Sequence, residues 1–207
     1  MSCVRYMLAV WVCVISLFHQ SKCTSNYVTC SSVLKLQHVR TGHRLHSHEV
    51  NYGSGSGQQS VTGTSHADDV NSYWTIKGLH GEKCTRGDPV KCGDVIRLQH
   101  LQTRKYLHSH YFQSPLSHNQ EVSAFGGEDG GDSGDNWRVV CDYEYWNRDS
   151  SVRLQHVDTG MYLHSTGHQY GRPIAGQKEI SGYKYATDDN LWKAMEGVYL
   201  KADAKAV

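Results

Sequence analysis

Hydrophobic and polar residues alternate in three nearly identical stretches: VLKLQH from Val33, VIRLQH from Val95 and SVRLQH from Ser151. In the second, Ile96, Leu98 and His100 fall on one side and Arg97 and Gln99 on the other. That is the period of a strand with one buried face. Each stretch runs through a short turn (RTG, QTR or DTG) into RLHSH, YLHSH or YLHST. A loop rich in Gly, Ser or Pro follows. A third strand then carries Gln and a β-branched residue: QQSVTG from Gln58, QEVSAF from Gln120, QKEISG from Gln177. A polar loop with Asp and Asn leads to a tryptophan, Trp74, Trp137 or Trp192. From the Leu of LHS to that Trp is 29, 30 and 29 residues, so the copies align almost without gaps.

Three units of four short strands predict an all-β fold. Helical periodicity is almost absent, and the short tail after Trp192 is the one candidate exception. A single unit cannot bury a core, but three around a common axis can. A closed barrel with hairpins over one end also removes exposed sheet edges, which a solenoid would have to cap. The expected architecture is a β-trefoil with pseudo-threefold symmetry. Its recurring leucines and tryptophans are its core. A single domain is expected over 28–200, with copies at about 30–84, 92–141 and 150–200 and a tail at 201–207.

The chain of 207 residues opens differently. Arg5 precedes an apolar run from Tyr6 to Phe18, and Ser21–Cys23 places small residues where a signal peptidase cuts. Residues 1–23 read as a signal peptide cleaved after Cys23. No later segment has the length of a membrane span, so the mature chain is expected in the secretory lumen or outside the cell. Lys plus Arg number 21 against 20 Asp plus Glu, without a basic stripe, which argues against nucleic acid as a partner. Cleavage removes Cys3, Cys13 and Cys23. The remaining Cys30, Cys84, Cys92 and Cys141 are an even set in an oxidising compartment, and none has zinc-ligand spacing.

Candidate chemistry is sparse. His46 and His48, and His108 and His110, form H-x-H pairs on strands, where both rings share a face. The third copy has Thr166 at the second position, and no carboxylate recurs at fixed spacing beside the pairs. No metal is assigned. The first ring of each pair reads as packed under its hairpin and the second as lying near the surface. His38, His100 and His156 share the leucine face and read as structural, fixing the turn that follows. GSGSG (53–57) matches no phosphate-binding pattern and reads as a flexible hairpin loop. GGEDGGDSGD (126–135) lacks EF-hand spacing. No G-x-S-x-G elbow, free thiol or carboxylate dyad appears, so neither enzyme activity nor a cofactor is expected.

The LHS units resemble MIR motifs, the repeat of protein O-mannosyltransferases and large calcium-release channels. The stretches RLHSHEVNYGSGSGQQSVTG, SYWTIKG, YLHSHYFQSPLSHNQEVSAFG, QYGRPIAGQKEISG and LWKAMEG are more narrowly similar to the stromal cell-derived factor 2 family, over Val28 to about Leu200. The resemblance implies a β-trefoil of MIR repeats in the endoplasmic reticulum lumen. It also implies a non-catalytic role beside a J-domain co-chaperone and the lumenal heat-shock chaperone, keeping unfolded client proteins from aggregating. The other function class, by fold analogy, is a module binding glycans or glycoproteins. Family members commonly end in an H-D-E-L type signal, whereas this chain ends KADAKAV. The expected explanations are retention by a partner, secretion, or a terminus that differs by splicing or gene model.

Features that break the threefold pattern are the better candidates for a contact surface: Tyr111–Asn119, Tyr143–Arg148 and Tyr170–Ile174. Interfaces favour aromatic and Arg anchors, which selects Tyr145, Trp146, Tyr170 and Arg172; the rings of Tyr143, Tyr145 and Trp146 have a second reading, as plugs of the core. Four cysteines allow three pairings. Cys30 and Cys92 lie six residues before Leu36 and Leu98, and Cys84 and Cys141 follow the first two tryptophans. In a trefoil the first and last strands of a unit are neighbours, so the expected bonds are Cys30–Cys84 and Cys92–Cys141.

Overall fold

The computed structural model describes residues 26–127 and 130–201. The signal-peptide segment and residues 202–207 of the tail lie outside the described residues. Twelve strands occur in order: β1 (Val33–His38), β2 (Arg44–Asn51), β3 (Gln59–Thr64), β4 (Trp74–Gly78), β5 (Val95–His100), β6 (Tyr106–Gln113), β7 (Gln120–Phe125), β8 (Trp137–Val140), β9 (Ser151–His156), β10 (Tyr162–Gln169), β11 (Lys178–Tyr183) and β12 (Trp192–Val198). The tail after Trp192, the candidate helix, is strand β12: Lys193 and Trp192 pair with Gln37 and His38, so the sheet claims the segment.

All pairings are antiparallel. Strands β1, β4, β5, β8, β9 and β12 hydrogen-bond in a closed ring of six, with β1 joined to β12. The hairpins β2–β3, β6–β7 and β10–β11 close one end. Their second strands β3, β7 and β11 pair with one another in a triangle about the pseudo-threefold axis. This is a β-trefoil, and neither ring nor triangle leaves an open edge.

Inward-facing Leu34, Leu36, Ile76, Ile96, Leu98, Val139, Val152 and Leu154 fill the barrel. Trp74, Trp137 and Trp192 are fully buried, and each indole Nε1 donates to the carbonyl of Leu45, Leu107 or Leu163 at 2.9 Å. The last strand of every copy thus pins the first strand of its own hairpin. A buried indole N–H needs such a partner, and the near-constant Leu-to-Trp spacing supplies it.

Two threefold features are broken, one in the third copy and one in the first. Gln59 bridges Ser47 of its own hairpin (2.8 Å) and Thr103 of the next copy (3.0 Å), and Gln120 does the same with Ser109 (2.6 Å) and Thr159 (2.8 Å). The third position is Lys178, which turns to Gln169 within its own hairpin. Likewise Glu121 and Glu179, both fully buried, correspond to Ser60, whose hydroxyl stays inside its hairpin on the Val50 carbonyl.

The opposite end of the barrel is closed by loops. Cys30 bonds Cys84 and Cys92 bonds Cys141, each tying the start of a copy to its end. Between them the segment before β9 passes beneath the barrel.

Candidate functional site

Each LQH histidine is buried and makes the same set of contacts. Nε2 of His38, His100 and His156 lies 2.8–2.9 Å from the carbonyls of Asp189, Asn71 and Gly134. Nδ1 lies 2.8–2.9 Å from the hydroxyls of Thr41, Thr103 and Thr159. A carbonyl only accepts, so Nε2 carries the proton and Nδ1 receives the threonine hydroxyl. Each ring also lies 4.9–5.0 Å from the tryptophan that ends the preceding unit around the ring: Trp192, Trp74 and Trp137. Burial pushes the pKa of all three below that of ordinary histidine, which keeps them neutral. They fix turns and join neighbouring copies.

The LHS histidines face the polar loop before each tryptophan. His46 donates from Nδ1 to Asp69 (2.7 Å) and receives His48 Nδ1 at Nε2 (2.7 Å). His108 meets Asp135 at 3.0 Å, and His164 meets Asn190 at 3.1 Å. His108, Asp132 and Asp135 form the one group of three ligand-type side chains close enough to share a cation among the described residues. Both carboxylates there are committed to a capping box: Asp132 accepts from the Gly134 amide (2.8 Å) and Asp135 from the Asp132 amide (3.0 Å). The local turn accounts for these acids, and no metal is assigned.

The anchors expected from sequence do not share a surface. Trp146 is a correction: it is fully buried at the barrel floor, with its backbone paired to Val28 and Val90. An aromatic was needed there to plug the ring, so it cannot contact a partner. Tyr170 is also buried, in a small cluster with Tyr52 and Ile174. Tyr145 is half-buried, 5.1 Å from Tyr27, and Arg172 is exposed at the β10–β11 tip. Tyr145 and Arg172 therefore stand at opposite ends of the barrel.

The β6–β7 hairpin is different. It exposes Tyr111 (83%), Phe112 (51%) and Leu116 (37%) at its tip. Glu49 and Val50, and Gly167 and His168, stand at the places of Tyr111 and Phe112 in the other copies. Exposed apolar residues clustered on one element mark an interaction site more than scattered ones do.

Two buried carboxylates hold this tip. Glu179, from the third copy, accepts the amides of Leu116 (2.8 Å) and Ser117 (3.1 and 3.3 Å). Glu121 accepts from His110 Nε2 (3.0 Å), and Phe112 rests edge-on against that imidazole at 4.9 Å. Glu121 also accepts the Ser56 hydroxyl and amide of the GSGSG loop. That loop, expected to be flexible, is tied down at this point. Gly55 sits there at φ +65°, and a Cβ would overlap the Glu121 carboxylate. Burial pushes the Glu121 carboxyl up, but hydrogen bonds from His110 and Ser56 outweigh it and hold it below the usual range. The tip is thus an apolar surface on a tethered hairpin. Sequence reading named the segment Tyr111–Asn119 but neither its exposed residues nor Glu121 and Glu179, whose latching role depends on loops far away in the chain.

The MIR domain pattern matches residues 46–142. Over 174 residues the chain is 58% identical to stromal cell-derived factor 2 of Mus musculus, covering 84% of this chain and 82% of the mouse protein. The crystal structure of the SDF2-like protein from Arabidopsis thaliana superposes with a TM-score of 0.83 at 50% identity, covering 86% of this chain and 99% of that one. The S. cerevisiae protein O-mannosyltransferase Pmt1-Pmt2 complex bound to the sugar donor matches at 27% identity and a TM-score of 0.71, over 91% of this chain and 30% of that one.

Proposed function

The chain belongs to the stromal cell-derived factor 2 family, and from that premise we propose that it is a non-catalytic subunit of a chaperone complex in the endoplasmic reticulum lumen. In this reading it engages a J-domain co-chaperone, and through it the lumenal heat-shock chaperone. It helps keep unfolded secretory clients from aggregating. The observation that carries the reading is the tethered, exposed tip Tyr111–Phe112–Leu116. An apolar surface held in place by buried carboxylates binds an extended chain or a partner domain without ordering itself first, which lowers the cost of association. Two disulfides support an oxidising compartment.

The test is capture and aggregation suppression with Tyr111→Ser/Phe112→Ser/Leu116→Ser. All three positions are surface-exposed, so the fold should survive. Loss of co-chaperone cross-linking and of client protection is expected. If both persist unchanged, the tip is not the contact surface; if no J-domain protein is recovered with the unaltered chain either, the chaperone reading fails. The match to the sugar-donor-bound mannosyltransferase complex favours a second reading, a glycan-binding module. Saturable binding on a sugar array without a co-purifying chaperone would select it.

A further inference from the structure

The exposed β6–β7 tip stands over two buried negative charges. Glu179 reaches it from the third copy, with Oε1 2.8 Å from the Leu116 amide and Oε2 3.1 Å from the Ser117 amide. Glu121 bonds His110, the ring against which Phe112 rests. Both carboxylates are fully buried. Both oxygens of each accept hydrogen bonds, as those of an ionised carboxylate do. The donors are amides, a hydroxyl and an imidazole, and neither acid forms an ion pair with Lys or Arg among the described residues. Charge held this close to a surface, yet out of water, is weakly screened and acts on whatever docks there.

The other hairpins lack this combination. The counterpart of the two acids in the first copy is Ser60, an uncharged hydroxyl that stays within its own hairpin. Cations are also kept off the tip: the chain has no Lys or Arg between Ser109 and Val122. Arg172 belongs to the β10–β11 tip, and Lys178 is turned to Gln169 at 3.0 Å. His118, within the tip, sits at φ +59°, where its counterparts are Gly57 and Gly176 at +69° and +87°. Only this copy puts a side chain on that left-handed turn, at a cost glycine avoids, and such positions gather at ligand sites.

We propose that the tip selects unfolded segments in which Lys or Arg alternates with apolar residues. The inference rests on the tip being the contact surface and adds what that surface prefers. Apolar side chains of the segment cover Phe112 and Leu116. The cation lies over the Tyr111 ring, which is 83% exposed and attracts it through the ring quadrupole. There it also feels the two carboxylates, while its aliphatic stem extends the apolar contact. An acidic segment meets the same field with the opposite sign and is disfavoured.

Three labelled peptides of equal length, with Leu alternating with Lys, Gln or Glu, are titrated against the full chain by fluorescence anisotropy. The work is done at about pH 7.5, above the ordinary histidine value. The expected order of affinity is Lys, then Gln, then Glu. The Lys peptide should exceed the Gln peptide by about two- to fivefold per docked cation, the range for a cation over an exposed ring. Added sodium chloride should shrink that ratio. Tyr111→Leu, an exposed change that removes the ring and keeps an apolar side chain, should bring the ratio toward one, and so should Glu179→Gln. Equal affinities for the Lys and Gln peptides, both lost in Tyr111→Ser/Phe112→Ser/Leu116→Ser, overturn this inference alone and leave the tip as the contact surface. A ratio that neither Tyr111→Leu nor Glu179→Gln moves, or a Glu peptide as tight as the Lys peptide, also overturns it. Binding that the triple variant leaves intact overturns the reading of the tip as well. Absence of binding by all three peptides overturns the inference, and co-chaperone capture then decides the tip.

Discussion

Glu179→Ala isolates the latch on the exposed hairpin. The Glu179 carboxylate accepts from two backbone amides, Leu116 at 2.8 Å and Ser117 at 3.1 and 3.3 Å. A hydrogen bond to a charged group contributes about 1.5–3 kcal/mol, so two donors set an upper range of about 3–6 kcal/mol by the same rule. Two effects reduce it. Removing the carboxylate relieves its own desolvation, and water can reach amides near a loop tip. A net loss of about 2–4 kcal/mol follows from those terms. Glu179→Gln keeps one carbonyl oxygen facing the amides and should lose about half as much. Urea unfolding gives the energies, with unchanged m-values showing that the same surface is exposed. Amide exchange gives the location, since Leu116 and Ser117 should lose protection while the β2–β3 tip keeps its own. If Glu179→Ala costs less than about 0.5 kcal/mol, or if protection at Leu116 and Ser117 is unchanged, the carboxylate is not the tether.

Non-reducing peptide mapping should recover Cys30 with Cys84 and Cys92 with Cys141, and a Cys84–Cys92 peptide would contradict the fold. Cys84→Ser opens a loop with a sequence separation of 54, for which the chain-entropy relation gives about 4 kcal/mol, seen as a lower denaturation midpoint. Acidification should destabilise the fold below about pH 6.5, the ordinary histidine value. Burial lowers the folded-state pKa of His38, His100 and His156, so over that window the unfolded chain binds more protons and stability falls as pH falls. Thermal midpoints measured from pH 7.5 to 5 check the sign, and His100→Gln should flatten the profile.

Much of the fold was legible in the sequence because it is written three times. Period-2 alternation located β1, β5 and β9, and the constant Leu-to-Trp spacing reflects an indole bonded back to that leucine's carbonyl. The assignment of His38, His100 and His156 to turns followed from their place on the leucine face. Trp146 lies outside the repeat, where composition cannot tell a plug from an exposed anchor, and the structure makes it a plug. Tyr170 was hidden by the same ambiguity, since its burial depends on Tyr52 in another copy. The latch carboxylates look like ordinary strand acids, and their function lies in contacts 62–65 residues away in the chain. The tail after β11 has weak alternation, and pairing with β1 and β9 makes it a strand.

The pairing that closes the ring has a mechanical consequence. Val33, at the start of β1, is the direct partner of Val198, at the end of β12, and His38 is the partner of Trp192. Tension applied at the two chain ends therefore bears on one pair at a time. The strands peel apart like a zipper from the barrel floor toward the hairpins, instead of sharing the load as sheared strands do. Neither disulfide spans this boundary, and the glutamine clamp that staples the other two seams is replaced there by Lys178. A machine that pulls on either end meets a boundary held by backbone pairs and the ion pairs Arg40–Asp189 and Arg44–Glu196, while the same barrel pulled across the first two copies meets covalent bonds.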